Sequence, residues 1–405
     1  MTTELAHGFD PILMRYLPQL LCFEVKPNSV YPKMDYISLL VKASILNGYA
    51  EGTSNVSRRL LGARKGSRKI PTGETALSYF RGVDRYELQS AISIVLEEQV
   101  GELKRRGLLK RPVPIALDWH DQLFYGEKDS EMVHGVRSRN GSSYAYQYLT
   151  ASILVDGMRL TIVVTPIKSR EHMLAYVDDA LNRIRNAGIK VGYLLFDAGF
   201  TSVALPVHLQ KRGYTYEMRF SSNTITKRIG LKDGEEALYP CEEPFRIVRA
   251  DDLEAARSYL FATNMPCRPK KVLERYNLRW GIETSYREHN VFLAKTTSKD
   301  YTVRLLYYAI AVCIYNSWCV FNAMPGRRDS PGGEGLCPAP GNGTVQIGST
   351  RKDERLRMTP IRIYWTCPQT VASYHGHALE RRVEPDGEDI YNFCHNFTRT
   401  GGALR

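Results

Sequence analysis

Between residues 113 and 220 the chain alternates short β-type runs with two glycine-ended helical segments, and this alternation restricts the fold more than any other feature. The β-type runs are Val113 to Leu117, Tyr146 to Val155, Leu160 to Thr165, Val191 to Phe196 and Tyr214 to Phe220. One helix is expected over Met173 to Ala187, stopping at Gly188, and another over Ser202 to Lys211, stopping before Gly213, because glycine readily takes the left-handed conformation that ends a helix. Three strands in succession, then helix, strand, helix, strand, predict an α/β sheet of mixed direction.

The flanking regions read differently. Residues 1 to about 108 are helical in pattern, with apolar periodicity over Ile37 to Leu46 and again at Leu88, Ile92, Val95 and Val100, the latter helix starting on Asp84 as its N-cap. The stretch Leu39 to Leu61 is compatible with a helix-turn-helix. A basic run follows, made of Arg58, Arg59, Arg64, Lys65, Arg68 and Lys69. Gly62 and Gly66 stand too close together for a phosphate-binding P-loop, which leaves a solvated loop or a contact with DNA phosphates as the two readings.

Residues 221 to 266 read as a less regular insertion with one strand at Tyr259 to Thr263. Helical patterning resumes from Lys270 past Glu288, and a strongly apolar helix covers Val303 to Met324. Asn316 and Ser317 interrupt the latter, so it falls short of a clean membrane span and is expected in the core. Residues 325 to 405 shift abruptly in composition, with many arginines but Lys352 as the sole lysine, and read as an irregular, poorly ordered tail. The expected organisation is therefore a helical N-terminal region at 1–108, an α/β domain at 109–324 and the tail at 325–405.

A formal net charge of +12 favours a polyanionic partner. The eight cysteines form no CxxC pair, which argues against a zinc ribbon. Glu4, His7 and Asp10 precede any apolar stretch, so no secretory signal is read and a cytoplasmic location is expected.

Three acids carry the chemistry. Asp118 in Leu117-Asp118-Trp119-His120-Asp121 and Asp197 in Phe196-Asp197-Ala198-Gly199-Phe200 each end an apolar strand, where ligands bind in open α/β sheets, although such acids also serve as helix caps or turn residues. On the later helix, positions seven apart return to one stripe, so Tyr276, Glu283 and Asn290 align, with Arg279 and Arg287 beside them. An Arg279–Glu283 surface ion pair is the plainer interpretation of that helix. Two strand-end aspartates followed by a distant helical glutamate, on a basic chain, suit Mg²⁺, which takes a few carboxylates and keeps open positions. His120 would share a side with Asp118 if the strand ran on, but a turn is the expected setting for it.

Together these residues resemble the DDE transposases of bacterial and archaeal insertion sequences, in the group with a Tyr-Arg-Glu-Lys signature. Tyr276, Arg279 and Glu283 match that signature in identity and spacing, while Asn290 stands where its Lys is expected. The resemblance spans roughly residues 113 to 324. It implies a ribonuclease-H-like core with a mostly β insertion before the glutamate. It also implies Asp118, Asp197 and Glu283 as catalytic ligands of Mg²⁺ or Mn²⁺, and Tyr276 and Arg279 as contacts to DNA near the cleaved end. The contact of the missing Lys would be lost or taken by Arg287 or Lys295, and Asn290 at its position and the basic residues Arg64, Lys65, Arg68 and Lys69 are the further candidate DNA contacts. The implied reaction cuts double-stranded DNA at the element's ends and joins the freed 3′-hydroxyl to target DNA, within a homodimer. A nuclease that cuts without joining and a DNA-binding chain without catalysis are the alternatives.

Overall fold

The computed structural model describes residues 16–62, 70–126, 128, 132–155, 158–252, 256–279, 289–322, 344–346 and 362–364. Residues Tyr16–Val320 form one compact unit. A second unit contains a short antiparallel pair, β10 (Thr344–Gln346) with β11 (Arg362–Tyr364).

In the first unit, helices α1 (Lys33–Ile45), α2 (Ala50–Gly62), α3 (Gly73–Phe80) and α4 (Arg85–Arg105) come first. Asp84 caps α4, its side chain accepting the backbone N–H of Tyr86 and Glu87. The α1–α2 turn contains Asn47 at φ 47°, a left-handed position that Asn tolerates better than most residues. Arg58 and Arg59 lie on α2 and not in a loop, and Arg58 donates two hydrogen bonds to the Ile70 carbonyl.

The sheet follows: β1 (Val113–Phe124), β2 (Val133–Arg139), β3 (Ser142–Val155), β4 (Met158–Pro166), β5 (Val191–Phe196), β6 (Tyr216–Phe220), β7 (Glu236–Tyr239), β8 (Phe245–Asp252) and β9 (Arg257–Thr263). Helices α5 (Met173–Asn186), α6 (Ala204–Lys211) and α7 (Thr224–Ile229) intervene, and α8 (Pro269–Tyr276) and α9 (Tyr301–Asn322) come after it. The core order β4-β3-β1-β5-β6, antiparallel up to β1 and parallel from β1 to β6, is ribonuclease-H-like. Parallel neighbours need a crossover, which α5 and α6 supply; Gly188 at φ 64° and Gly213 at φ 71° end them as expected.

Three features depart from expectation. β1 does not stop at Leu117 but runs on to Phe124, paired with β3 throughout, because Trp119 to Phe124 find partners at Leu149 to Tyr144. β2 was not foreseen: its burial pattern leaves most side chains outside, so it lacks the apolar alternation that marks a strand. The insertion is regular, since β9 pairs with β6 and carries β8 and β7 outward, extending the same sheet by three antiparallel strands.

The apolar helix α9 satisfies length and composition criteria for a membrane span, yet 89% of its most apolar window is buried inside the protein. The two polar residues that interrupt its apolar run, Asn316 and Ser317, explain themselves there. Asn316 donates to Gln99 Oε1 (3.0 Å) and the Thr161 carbonyl (2.7 Å), while Gln99 donates to Ser317 Oγ (3.1 Å) and the Cys313 carbonyl (3.0 Å). That buried network locks α9 to α4 and β4 in one register, since each of these groups would be costly to leave unpaired.

Candidate active site

The parallel pairing of β1 with β5 ends at Leu117 opposite Phe196. Asp118 and Asp197 are the next residue on each strand, so they stand side by side where the strands part. Beyond this point β1 continues with β3 alone, which opens the crevice at the carboxyl ends of the parallel strands where α/β sheets bind ligands.

Neither aspartate performs the structural role that its sequence position suggested. Asp118 is interior to a strand and is 7% exposed, with Oδ1 accepting the N–H of Trp119 at 2.8 Å. Asp197 precedes a 3-10 turn, Ala198–Phe200, but its side chain makes no capping hydrogen bond. Both turn instead toward Arg279, whose Nη1 lies 3.3 Å from Asp118 Oδ2 and whose Nη2 lies 3.3 Å from Asp197 Oδ1. Tyr276 adds a hydrogen bond from its hydroxyl to Asp197 Oδ1 at 3.1 Å.

Tyr276 and Arg279 reach the aspartates from α8 and the 3-10 turn Asn277–Arg279 that follows it. α8 starts at Pro269, a residue suited to a helix's first position, and seats Val272 and Tyr276 on Val248, Tyr259 and Phe261 of the extended sheet. The insertion strands thus build the floor on which the helix rests. Burial pushes the Tyr276 phenol above its ordinary range, so it keeps the proton it donates to Asp197. Its ring lies 5.2 Å from the Arg279 guanidinium, a cation–π distance.

A second ion pair supports α8 from below. Glu217 on β6 is fully buried, with Arg275 Nε at 3.5 Å and no hydrogen-bond partner for either carboxylate oxygen among the described residues. Burial pushes its carboxyl up to about 8, against the opposing pull of Arg275. Arg275 also donates to Cys267 Sγ and lies over the Tyr193 ring. An acid at an inward position of the strand Tyr216–Phe220 was the available signal for this pair.

His120 is no turn residue. It shares the Asp118 side of β1, as the strand alternation requires, and its buried ring stacks on Tyr308 of α9 with centroids 4.8 Å apart. Burial, with a smaller effect from Arg139, pushes it down to about 3, so the imidazole is neutral at physiological pH.

The other candidates are dispersed. Asn290 and Lys295 are exposed and lie against the α1–α2 turn, where Asn47 Nδ2 donates to the carbonyls of Asn290 (3.1 Å), Val291 (3.3 Å) and Leu293 (3.0 Å), and Lys295 N–H donates to the Gly48 carbonyl (3.0 Å). Glu283, Arg287, Arg64, Lys65, Arg68 and Lys69 lie outside the described residues. Among the described residues no group of three or more His, Cys, Asp or Glu side chains could hold a metal ion. The pair Asp118 and Asp197 nevertheless fits a divalent cation as a partial donor set: two oxygen ligands already converge on one positive charge, that of Arg279.

The sequence profile of the family described as Transposase DDE domain matches residues 110–316, just over half of the chain. This chain belongs to the DDE transposase family. No curated protein matches it closely enough to serve as a relative. The transposase match covers the whole ribonuclease-H-like core, the insertion and most of α9. Membership implies DNA binding and DNA cleavage, and transposases of this family generally use divalent metal ions.

Proposed function

We propose that this transposase cuts the ends of its insertion sequence and transfers the freed 3′-hydroxyl to target DNA, with Asp118, Asp197 and Glu283 binding Mg²⁺ or Mn²⁺, as in the group with the Tyr-Arg-Glu-Lys signature. The observation that carries this reading is the convergence of Asp118 and Asp197 from adjacent strands on a single cationic group. A divalent ion held there supplies the charge that eases in-line displacement at phosphorus.

The protein's own residues supply orientation. Tyr276 fixes one oxygen of Asp197 through its retained proton, and Arg279 offsets the repulsion between two carboxylates brought together at a partly buried site. Residues 1–108 are assigned to recognition of the element's ends, and 109–324 to catalysis. Pairing of two ends calls for a homodimer on DNA, acting in the cytoplasm on the nucleoid. Asn290 in place of Lys favours a contact made by Arg287 or Lys295.

The test incubates the protein with duplex DNA carrying the terminal repeats that flank its gene, with Mg²⁺, with Mn²⁺ and with chelator. Ion-dependent nicking and joined products are expected from the wild type, and neither from Asp118→Asn or Asp197→Asn despite retained DNA binding. Cleavage without joined products identifies a nuclease. Binding without any cleavage identifies an inactive DNA-binding chain.

A further inference from the structure

Beside the aspartates, β1 presents a second cluster that the triad does not use. Asp121 faces away from Asp118 and His120, on the side of Trp119. Its carboxylate is shared by two arginines: Arg139 at the end of β2 (3.0 Å) and Arg170 in the turn before α5 (3.6 Å). Gln147 of β3 donates to the same carboxylate at 2.7 Å. The two guanidinium groups remain open to solvent, with side chains 52% and 43% exposed against 18% for Asp121.

Arg170 also lies over the indole of Trp119, 5.3 Å from its centroid. Phe200 stacks on that indole at 4.4 Å and 9°, and Trp119 Nε1 donates to the Gly199 carbonyl. A Cβ on Gly199 would meet Trp119 at 2.9 Å, so glycine is what allows this approach. The residues following each aspartate in sequence therefore lock together, and Arg170 is oriented by that lock. Arg137 and Lys168, two residues before Arg139 and Arg170 in the chain, are also exposed, and His134 of β2 joins the segment before Arg170 by its contact with the Ile167 carbonyl (2.8 Å). Glu171 is the exposed acid within this strip.

Such an arrangement does little for stability, because exposed ion pairs contribute about 0 to 1 kcal/mol. It does suit an anion. Two guanidinium forks pre-aimed by one carboxylate keep a net positive charge, and the fork geometry matches phosphate oxygens. Asp121 lies three residues beyond Asp118 on the opposite side of β1, so an anion held there lies on the flank of the strand that carries Trp119 and not in the crevice between the aspartates.

We propose that Arg139 and Arg170, aimed by Asp121 and Trp119, bind the phosphate backbone of DNA on the flank of β1 opposite Asp118 and thereby help to hold the duplex on the protein. This rests on the transposase reading above. The partner is the sugar-phosphate backbone, so the contact positions DNA without reading its sequence.

The experiment measures binding of a labelled duplex carrying the flanking terminal repeat, and of a random-sequence duplex of equal length, across a series of salt concentrations. For the double variant Arg139→Gln, Arg170→Gln, affinity is expected to fall about ten- to a hundredfold on both duplexes, and the salt slope to drop by about 2. Asp121→Asn removes the competing negative charge but keeps a side-chain oxygen that accepts from, and so aims, the guanidinium groups, and is expected to steepen the slope and tighten binding. Thermal melts of all variants within a few degrees of the wild type establish that folding is intact. If the double variant binds as the wild type does, or if Asp121→Asn weakens binding as much as the double variant, the cluster is a fold clamp and the proposal fails. Wild-type protein that neither binds nor cuts either duplex would instead overturn the transposase reading.

Discussion

Replacing Glu217 by Gln tests whether the buried acid beneath α8 is neutral when the protein works. Its carboxyl is pushed from an ordinary value near 4.5 up to about 8, so between those limits the native state holds a proton that the unfolded chain releases. The stability this contributes is fully present below about 4.5 and is lost as pH rises through about 8. The slope is at most about 1.4 kcal/mol per pH unit, on the order of 5 kcal/mol over the whole window. Glutamine has the same shape and cannot titrate. Urea unfolding of wild type and Glu217→Gln, followed by circular dichroism from pH 5 to 9, is expected to give similar stabilities near pH 5. The variant is expected to become the more stable of the two by a few kcal/mol near pH 9. If the two profiles run parallel, with the variant weaker throughout, Glu217 is ionised against Arg275 at every pH and the argument is refuted, because such a variant simply strands a buried arginine.

Two further outcomes are expected. Arg279→Gln leaves Asp118 and Asp197 facing one another, so unfolding in chelator is expected to show a loss of about 2 to 4 kcal/mol that shrinks on adding Mg²⁺ or Mn²⁺; a loss indifferent to the ion would show that the two carboxylates do not share a cation site. Asn47→Gly removes the amide that serves three carbonyls but keeps the backbone freedom needed at φ 47°, and is expected to cost about 1 to 2 kcal/mol in denaturant, with Asn47→Ala costing more; an alanine variant as stable as the glycine one would contradict the left-handed assignment.

Much of the frame was legible before any coordinates. The core strands, the two glycine-ended crossover helices, the Asp84 cap and the burial of the helix around Tyr307 and Tyr308 all follow from local patterns, because hydrophobic period and capping chemistry act within a few residues. Elements that depend on partners distant in the chain were not. β1 beyond Leu117 is a strand because β3 pairs with it, and its residues Asp118 to Asp121 carry no apolar run to announce it. The insertion reads as irregular in sequence because charged residues break up its apolar runs, as at Arg246, Arg249, Asp251 and Asp252 in β8, yet β9 finds β6 and the sheet absorbs all three.

The candidate site divides along the same line. Residue types drew attention to Asp118, Asp197, Tyr276 and Arg279, but Asp118 lies inside β1 and not at a strand end, Arg279 lies on a 3-10 turn, and the seven-residue repeat passes through Glu283, outside the described residues. That Arg279 bridges both aspartates, that Tyr276 donates to one of them, and that Glu217 lies buried against Arg275 beneath the helix were decided only when β5, β6 and α8 packed together. Charge–charge contacts and desolvation depend on distances through space, and a linear chain specifies those only after its sheet has closed around them.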